Sequence, residues 1–360
     1  MDGRSRRLYD RGQSAHRRPH ASATGRRSAT GRSVPVSSID VIIPNYQYGR
    51  YLPACIGSVL SQDVENMRVL VIDNASTDDS LAVANELAAR DGRIRVIAHP
   101  VNVGVIASFN EGIDEAQADY FTILCADDML TPGSLKRAIA ILEENPAVSV
   151  AQGRGHIVSA GNAVPDELSA AKPAVWTVVS GPAFIENICR HPRQGFVDFT
   201  VVRTTIQKRA GHYRKDLPFT CDREMLMRLA ALGDVARTDA VQGIQQEHSN
   251  NISSAYWQDF RLFLESLYGA IDKFLSTGAM DGRQSDRLRA LARASLARDA
   301  YWSAMSHLVR AKYREAAGLF RLAFGLLPRL AILPPIGHLF RTKGVLSRAR
   351  EIFVEASWRS

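Results

Sequence analysis

The chain has 360 residues, 46% apolar and 23% charged, enough for a sizeable core in one large domain with an appendage or in two domains. Its net charge of +8 is uneven: residues 1–37 carry +7, residues 283–360 carry +10, and the stretch between them carries −9. An acidic body between basic flanks argues against a nucleic-acid-binding body and suits a site that recruits a divalent cation. The four cysteines (Cys55, Cys125, Cys189, Cys221) form no CxxC pair, which argues against a disulfide framework or zinc site and fits a reducing, cytoplasmic setting.

Residues 1–37 are Arg, Ser, Gly, Ala and His with few large apolar side chains, so a disordered basic extension is expected there. No apolar run marks a secretory signal. An Arg- and Ser-rich, acid-poor start also has the look of a transit peptide, although a plain extension or an early start codon explains it more simply. A nucleic-acid arm is a third option.

Ordered sequence begins at Ile39. Ile39–Pro44 reads as a buried strand, Tyr51–Leu60 as a helix, Val69–Ile72 as a second strand and Ser80–Ala89 as a helix. Ile94–Ile97 is a third strand. Asn102-Val-Gly104 leads into a helix through Ile113, and Tyr120–Leu124 is a fourth strand. Thr131-Pro-Gly133 then turns the chain into a helix over Leu135–Leu142, followed by a strand over Val148–Ala151. Strands alternating with helices predict an α/β fold on a mainly parallel sheet, with the polar strand ends lining one crevice.

Two carboxylates, Asp127 and Asp128, follow the fourth strand. At the carboxyl end of a sheet strand such a pair suits a hard cation carrying a phosphate ligand. A helix cap beside a solvated turn residue is the alternative. No G-x-G-x-x-G follows the first strand and no G-x-x-x-x-G-K-[ST] occurs anywhere, which disfavours a nicotinamide enzyme or a P-loop NTPase.

Four blocks in order carry a resemblance: Val41-Ile-Ile-Pro-Asn-Tyr46, Val71-Ile-Asp-Asn-Ala-Ser-Thr-Asp-Asp-Ser80, Asn102-Val-Gly-Val105 with Asn110-Glu-Gly112, and the Asp127-Asp128 pair. Together they resemble the family 2 glycosyltransferases of the GT-A fold, from about Ser38 to Ser253. The resemblance implies that Pro44, Asn45 and Tyr46 border the nucleotide base and ribose. It implies that Asp73 accepts a hydrogen bond from a base imide, as uracil presents, although a turn Asp bonding its own backbone explains that residue too. Asn102 and Gly104 would flank the diphosphate. The family's Asp-x-Asp motif stands here as Cys125-Ala126-Asp127. Ala126 and Asp127 would border the donor, and Asp127 and Asp128 would hold Mg²⁺ or Mn²⁺. A thiol is a poor acceptor, so the ribose contact usual at the first position is in doubt.

The second half extends the resemblance. Residues 154–180 read as a mobile loop crossing the crevice, Pro182–Cys189 as a helix and Phe196–Val202 as a strand. Asp222 occupies the family's acidic position at the head of a helix and is the implied general base. The same position suits a helix N-cap. Glu224 is the fallback base, and His212 and Tyr213 are candidates to line the acceptor pocket. In Gln245-Gln-Glu-His-Ser-Asn-Asn-Ile-Ser253, read as following a short strand, His248 matches a family histidine near the metal and diphosphate. Gln246 stands where the family often has arginine.

The remainder, residues 255–360, lies outside the resemblance and reads as helical. Trp257, Phe260, Phe263, Leu264, Leu267, Ile271 and Phe274 form one apolar stripe. Helix resumes near Ser285, and Tyr313–Pro328 resembles the second helix of a tetratricopeptide unit. Leu319–Gly337 is interrupted by Arg321, Pro328, Arg329, Pro334 and Pro335, so it is no transmembrane span. It either packs as a hairpin, the commoner outcome, or lies with its basic neighbours on an anionic membrane.

The expectation is therefore an inverting glycosyltransferase that uses a nucleotide-sugar donor, UDP-linked, with Mg²⁺ or Mn²⁺. The acceptor would be a saccharide, lipid-linked or protein hydroxyl in cell-surface polysaccharide or glycoconjugate synthesis. No nucleic-acid partner is expected. Peripheral contact with the inner face of the plasma membrane and a protein partner on the helices are open. The alternatives are a nucleotide-sugar-binding module without catalysis, as Cys125 and Gln246 suggest, and a helical scaffold.

Overall fold

The computed structural model describes residues 37–159, 162–168, 170–194, 199–248 and 259–335. The expectations for residues 1–36, for Phe196-Val-Asp198, for the segment 249–258 with Trp257, and for the basic tail from residue 336 lie outside the described residues.

The first half alternates strands and helices: β1 (Ser38–Asn45), α1 (Leu52–Leu60), β2 (Asn66–Asp73), α2 (Ser80–Arg90), β3 (Ile94–Ala98), α3 (Val105–Glu115) and β4 (Tyr120–Ile123). β3, β2, β1 and β4 lie side by side and parallel. Their apolar runs follow from position, since helices cover both faces. In β1, Ile39, Val41, Ile42 and Ile43 are fully buried. Ile39, Val41 and Ile43 join a core that includes α1, while Ile42 faces the cluster holding Ile113 of α3. The one carboxylate in this run, Asp40, is satisfied by Arg68 at 2.8 Å and by the backbone N–H groups of Gln117 and Ala118.

α3 presses onto β1 at Gly112, where an added Cβ would lie 2.4 Å from Ile42 Cγ2. Gly112→Ala is therefore expected to destabilise the fold by about 1–3 kcal/mol, because the buried, β-branched Ile42 has no room to yield. A lowered urea midpoint at unchanged slope would show it.

The second half comprises β5 (Met129–Leu130), α4 (Ser134–Glu144), β6 (Val148–Ser159), β7 (Trp176–Val179), α5 (Gly181–Arg190), β8 (Phe199–Arg203), α6 (Thr204–Ala210), α7 (Cys221–Leu232) and β9 (Asp234–Glu247). β8 enters antiparallel between β4 and β6, β9 lies parallel to β6, and β5 and β7 run antiparallel to β9. β1, β2, β3, β4, β6 and β9 share one direction, so the sheet is mixed but mainly parallel.

Three expectations change here. Residues 154–159, read as loop, continue β6, and Trp176–Val179 form a strand. The glycines within and beside this extended strand are sites of close packing. A Cβ on Gly153 would meet Gln242 at 2.0 Å, and the Phe199 ring lies over Gly155 and Gly243. β9 is long and includes Gln245–Glu247 rather than ending before them.

The chain continues as α8 (Phe260–Leu275), α9 (Gly282–Val309) and α10 (Tyr313–Leu326). Asp259 caps α8 by accepting from the Leu262 N–H, and Asp281 caps α9 by accepting from the Gln284 N–H. Ile271, Phe274 and Leu275 of α8 and Leu288 of α9 join the core made by α3, α5 and α7. α9 and α10 form the hairpin expected near the C-terminus. Ala300, Ala304, Leu319, Ala323, Leu326 and Leu330 are buried together, and Tyr301 meets Phe320 edge-on at 5.4 Å. No helix among the described residues is long and apolar enough to cross a membrane.

Candidate functional site

The carboxyl ends of β1, β2 and β4 converge, and each carries polar residues just past its apolar run. β1 ends in Asn45 and β2 in Asp73, which are paired in register. Asn45 Nδ2 donates to Asp73 Oδ1 at 2.8 Å, and the Ser76 N–H donates to Asp73 Oδ2 at 3.0 Å. Asp73 therefore does make the local turn that was its alternative reading, and it is almost fully buried. Each oxygen keeps a second lone pair for another donor.

The loops after these strands are stitched together. The Gln47 N–H donates to Ser76 Oγ, Gln47 Nε2 donates to Thr77 Oγ1 at 2.7 Å, and the Gly49 N–H donates to Asp78. Gly49 is needed for this approach, since a Cβ there would meet Asp79 Oδ1 at 2.3 Å. Tyr46 is exposed beside buried Asn45. Pro44, the penultimate residue of β1, is paired with Ile72 of β2.

The Asn102 block adjoins this wall. Asn102 Oδ1 accepts from Asn74 Nδ2 and from the Gly104 N–H, both at 2.9 Å. Gly104 caps α3 at φ +86°, a backbone state that favours glycine, with open space where its Cβ would stand. The companion block does structural work. Asn110 accepts from the Tyr213 N–H at 2.7 Å and donates to the Tyr213 carbonyl at 3.0 Å, and Gly112 admits Ile42.

β4 ends where Cys125–Asp128 turns, closed by the Asp128 N–H donating to the Cys125 carbonyl at 3.0 Å. The side chain of Ala126 is buried in the core. The two-residue strand β5 then pairs with β9 and brings the end of β9 back over the turn. The Gln246 N–H donates to Asp128 Oδ1 at 3.3 Å, and His248 Nε2 lies 3.1 Å from Asp127 Oδ2. The His248 ring is nearly buried, stacked on Tyr51 at 5.2 Å and met edge-on by Tyr48 at 5.4 Å. Sequence reasoning assigned Tyr48 and Tyr51 no site role. The signal was the aromatic spacing Tyr46-Gln-Tyr48-Gly-Arg-Tyr51.

This cluster is electrostatically tense. Burial lifts the Asp127 carboxyl above its ordinary range, against its own backbone N–H and His248. The Tyr48 hydroxyl and Cys125 thiol are also raised, first by crowding from protein and then by the carboxylates of Asp127 and Asp128. A carboxyl raised by burial, as Asp127 is, suits a site that gains a cation. Cys125 Sγ and one oxygen each from Asp127 and Asp128 lie within 4.8 Å of one another, so this donor set fits a divalent ion.

Asp222 stands in the first turn of α7, whose N-cap is Thr220, so Asp222 is not the cap. One oxygen accepts the Arg223 N–H at 2.6 Å. Burial raises its carboxyl, opposed by Arg223. Its charge contributes to raising the Cys125 thiol and the Tyr213 hydroxyl, both lifted first by burial. Glu224, the fallback base, is fully buried and bridged to Arg228 at 2.8 Å, so it braces α7 instead. His212 is half-exposed and paired with Asp114 at 2.8 Å. Tyr213 packs against Phe109.

The comparisons with known proteins agree with this fold. The model of the family described as Glycosyl transferase family 2 matches residues 40–217. An uncharacterized glycosyltransferase of Haemophilus influenzae is 25% identical over 228 residues, 61% of this chain and 68% of that protein. The chain spans 58% and 36% of the lengths of two further curated relatives. Residues 1–349 of S. aureus TarS, solved with UDP-GlcNAc, share the fold at a TM-score of 0.59 and 17% identity, covering 89% of this chain and 91% of that one. The mannosyltransferase PcManGT of Pyrobaculum calidifontis, solved with GDP-Man and Mn²⁺, does so at 0.54 and 15%, covering 90% of this chain and 87% of that one. A GT-A sheet with its polar strand ends in one crevice, the ordered sequence blocks and the family match agree, and the chain carries a glycosyl transferase family 2 domain, that of a family of sugar-transferring enzymes, over residues 40–217.

Proposed function

We propose that the chain transfers a sugar from a nucleoside diphosphate to an acceptor hydroxyl with inversion, using Asp222 as general base. What supports this reading is a carboxylate at the head of α7, Asp222, whose charge reaches the Cys125 thiol beside the carboxylate cluster at the end of β4. Asp127 and Asp128, with His248 behind them, would hold Mg²⁺ or Mn²⁺. Such an ion neutralises diphosphate charge as the nucleotide leaves. Asn45, Tyr46 and Asp73 would border the base, with UDP favoured because Asp73 keeps acceptor capacity for an imide N–H. Asn102 and the α3 N-terminus at Gly104 would flank the diphosphate.

Asp222, ionised, takes the proton of the acceptor hydroxyl as its oxygen attacks the anomeric carbon from the face opposite the leaving group. Asn110 holds Tyr213 in place beneath this region. A groove of about 250 Å³ between Asp216, Phe219 and Thr220 on one side and Glu265 and Ser266 of α8 on the other opens at the N-cap of α7. It is a natural approach for a saccharide acceptor, with Phe219 partly exposed. The acceptor would belong to cell-surface polysaccharide or glycoconjugate synthesis.

Thermal unfolding with UDP, GDP and CDP, each with and without Mn²⁺, tests the donor site. UDP with Mn²⁺ is expected to raise the midpoint most, because a ligand of the folded state at 100 times its Kd adds about 2.7 kcal/mol. No shift with any nucleotide would overturn the donor reading and return the chain to the scaffold alternative.

A further inference from the structure

We propose that Cys125 is itself a ligand of the cation, so that this site prefers thiophilic ions such as Zn²⁺, Cd²⁺ or Co²⁺, with Mn²⁺ next, over Mg²⁺. This assignment rests on a cation at Asp127, as proposed above. Three features carry it. Cys125 Sγ and the carboxylate oxygens of Asp127 and Asp128 lie within 4.8 Å of one another. Donors about 2.0–2.3 Å from one ion reach nearly that separation when opposed, so small rotations close the set. The turn that the Asp128 N–H makes to the Cys125 carbonyl keeps the three side chains together at the strand end.

The second feature comes from the other side of the crevice. β5 pairs antiparallel with β9, Met129 opposite Ile244. That pairing carries the end of β9 over the turn, where the Gln246 N–H meets Asp128 Oδ1. His248 arrives there clamped between Tyr48 and Tyr51 with Nε2 on Asp127. A borderline imidazole therefore sits beside the set, touching it through Asp127, and the set itself joins sulfur to oxygen.

The third feature is access. Asp127 is buried, whereas Cys125 is the exposed cysteine of the four. Mg²⁺ takes oxygen ligands in a nearly ideal octahedron and has little use for sulfur. Thiolate and imidazole select later and softer ions. On binding, the metal–sulfur bond forms as the thiol proton passes to solvent.

Titrating the purified full-length chain with Cd²⁺ and with Co²⁺, while following thiolate-to-metal charge-transfer absorption, tests this. One equivalent is expected to give the band in the wild type. Cys125→Ser should remove it and weaken Cd²⁺ binding by at least about 100-fold, beyond the roughly 10–100-fold that loss of an outer-shell partner brings. Cys125→Asp should also lose the band but gain affinity for Mg²⁺. Mn²⁺ binding, followed by electron spin resonance on the wild type and Asp127→Ala, keeps the two levels apart. A band that is absent from the wild type, or that persists in Cys125→Ser, while Mn²⁺ binding depends on Asp127, overturns the Cys125 ligand and leaves the metal site standing. No binding of any ion overturns both.

Discussion

Asp222→Asn is expected to lower transfer by about 10²–10⁴-fold while leaving affinity for the nucleotide-sugar unchanged, the signature of a lost general base. Asparagine keeps the shape and can still meet the Arg223 N–H through its amide oxygen, so the first turn of α7 should survive. Steady-state transfer assays paired with donor-binding measurements separate the two effects. Two pH effects follow from burial, which lifts this carboxyl above its ordinary 3.8. The base works ionised, so kcat/KM should fall as pH drops through the raised pKa, at higher pH than a solvent-exposed aspartate would give. Stability runs the other way. The folded state holds the Asp222 proton more tightly than the unfolded chain, so wild-type stability falls as pH rises from the unfolded value through the folded one. At neutral pH, Asp222→Asn should therefore unfold at a higher temperature than the wild type. The difference should vanish at pH values below the unfolded pKa, where both side chains are neutral. A variant with normal turnover and an unaltered acidic limb would remove Asp222 from the chemistry.

The parallel half of this fold is legible because its cause is local. Val41–Ile43 and Val69–Ile72 are continuous apolar runs, as strands covered on both faces must be, and the polar residues after them mark the crevice. What escaped the sequence depends on partners distant in the chain. Gly153 and Gly155 look like loop residues until Gln242 and Phe199 are seen lying over them. The two-residue β5 has no periodicity to detect, yet it carries the end of β9 across the crevice, and without it His248 would not meet Asp127. Tyr51 was readable only as an apolar helix position; its ring supports His248 because of that crossing. Asn110 and Gly112 stood out as part of a motif, but their work is packing: one holds Tyr213 and the other admits Ile42. Glu224 shows the opposite error. Its spacing suited a base, but a residue two positions along a helix turns by about 200°, which takes it off the face of Asp222 and into the core beside Arg228.

Asp127→Ala is expected to abolish the Mn²⁺-dependent part of nucleotide binding and to lower transfer by at least about 10²–10³-fold, the scale for losing one preorganised charge-stabilising group. The stabilisation of about 2.7 kcal/mol that donor and metal supply at 100 times Kd should disappear from the thermal midpoint. The midpoint without ligand serves as the control. The variant loses a carboxylate held above its ordinary range by burial, and it also leaves His248 Nε2 without its Asp127 contact. These effects on folding oppose each other, so the unliganded midpoint should move much less than the liganded one. Adding His248→Ala to Asp127→Ala should cost little further donor affinity, because the histidine acts on the same ion. If Asp127→Ala keeps a full Mn²⁺-dependent shift, the cation is held without Asp127. Asp128 and Cys125, its neighbours in the turn after β4, would then have to supply the site between them.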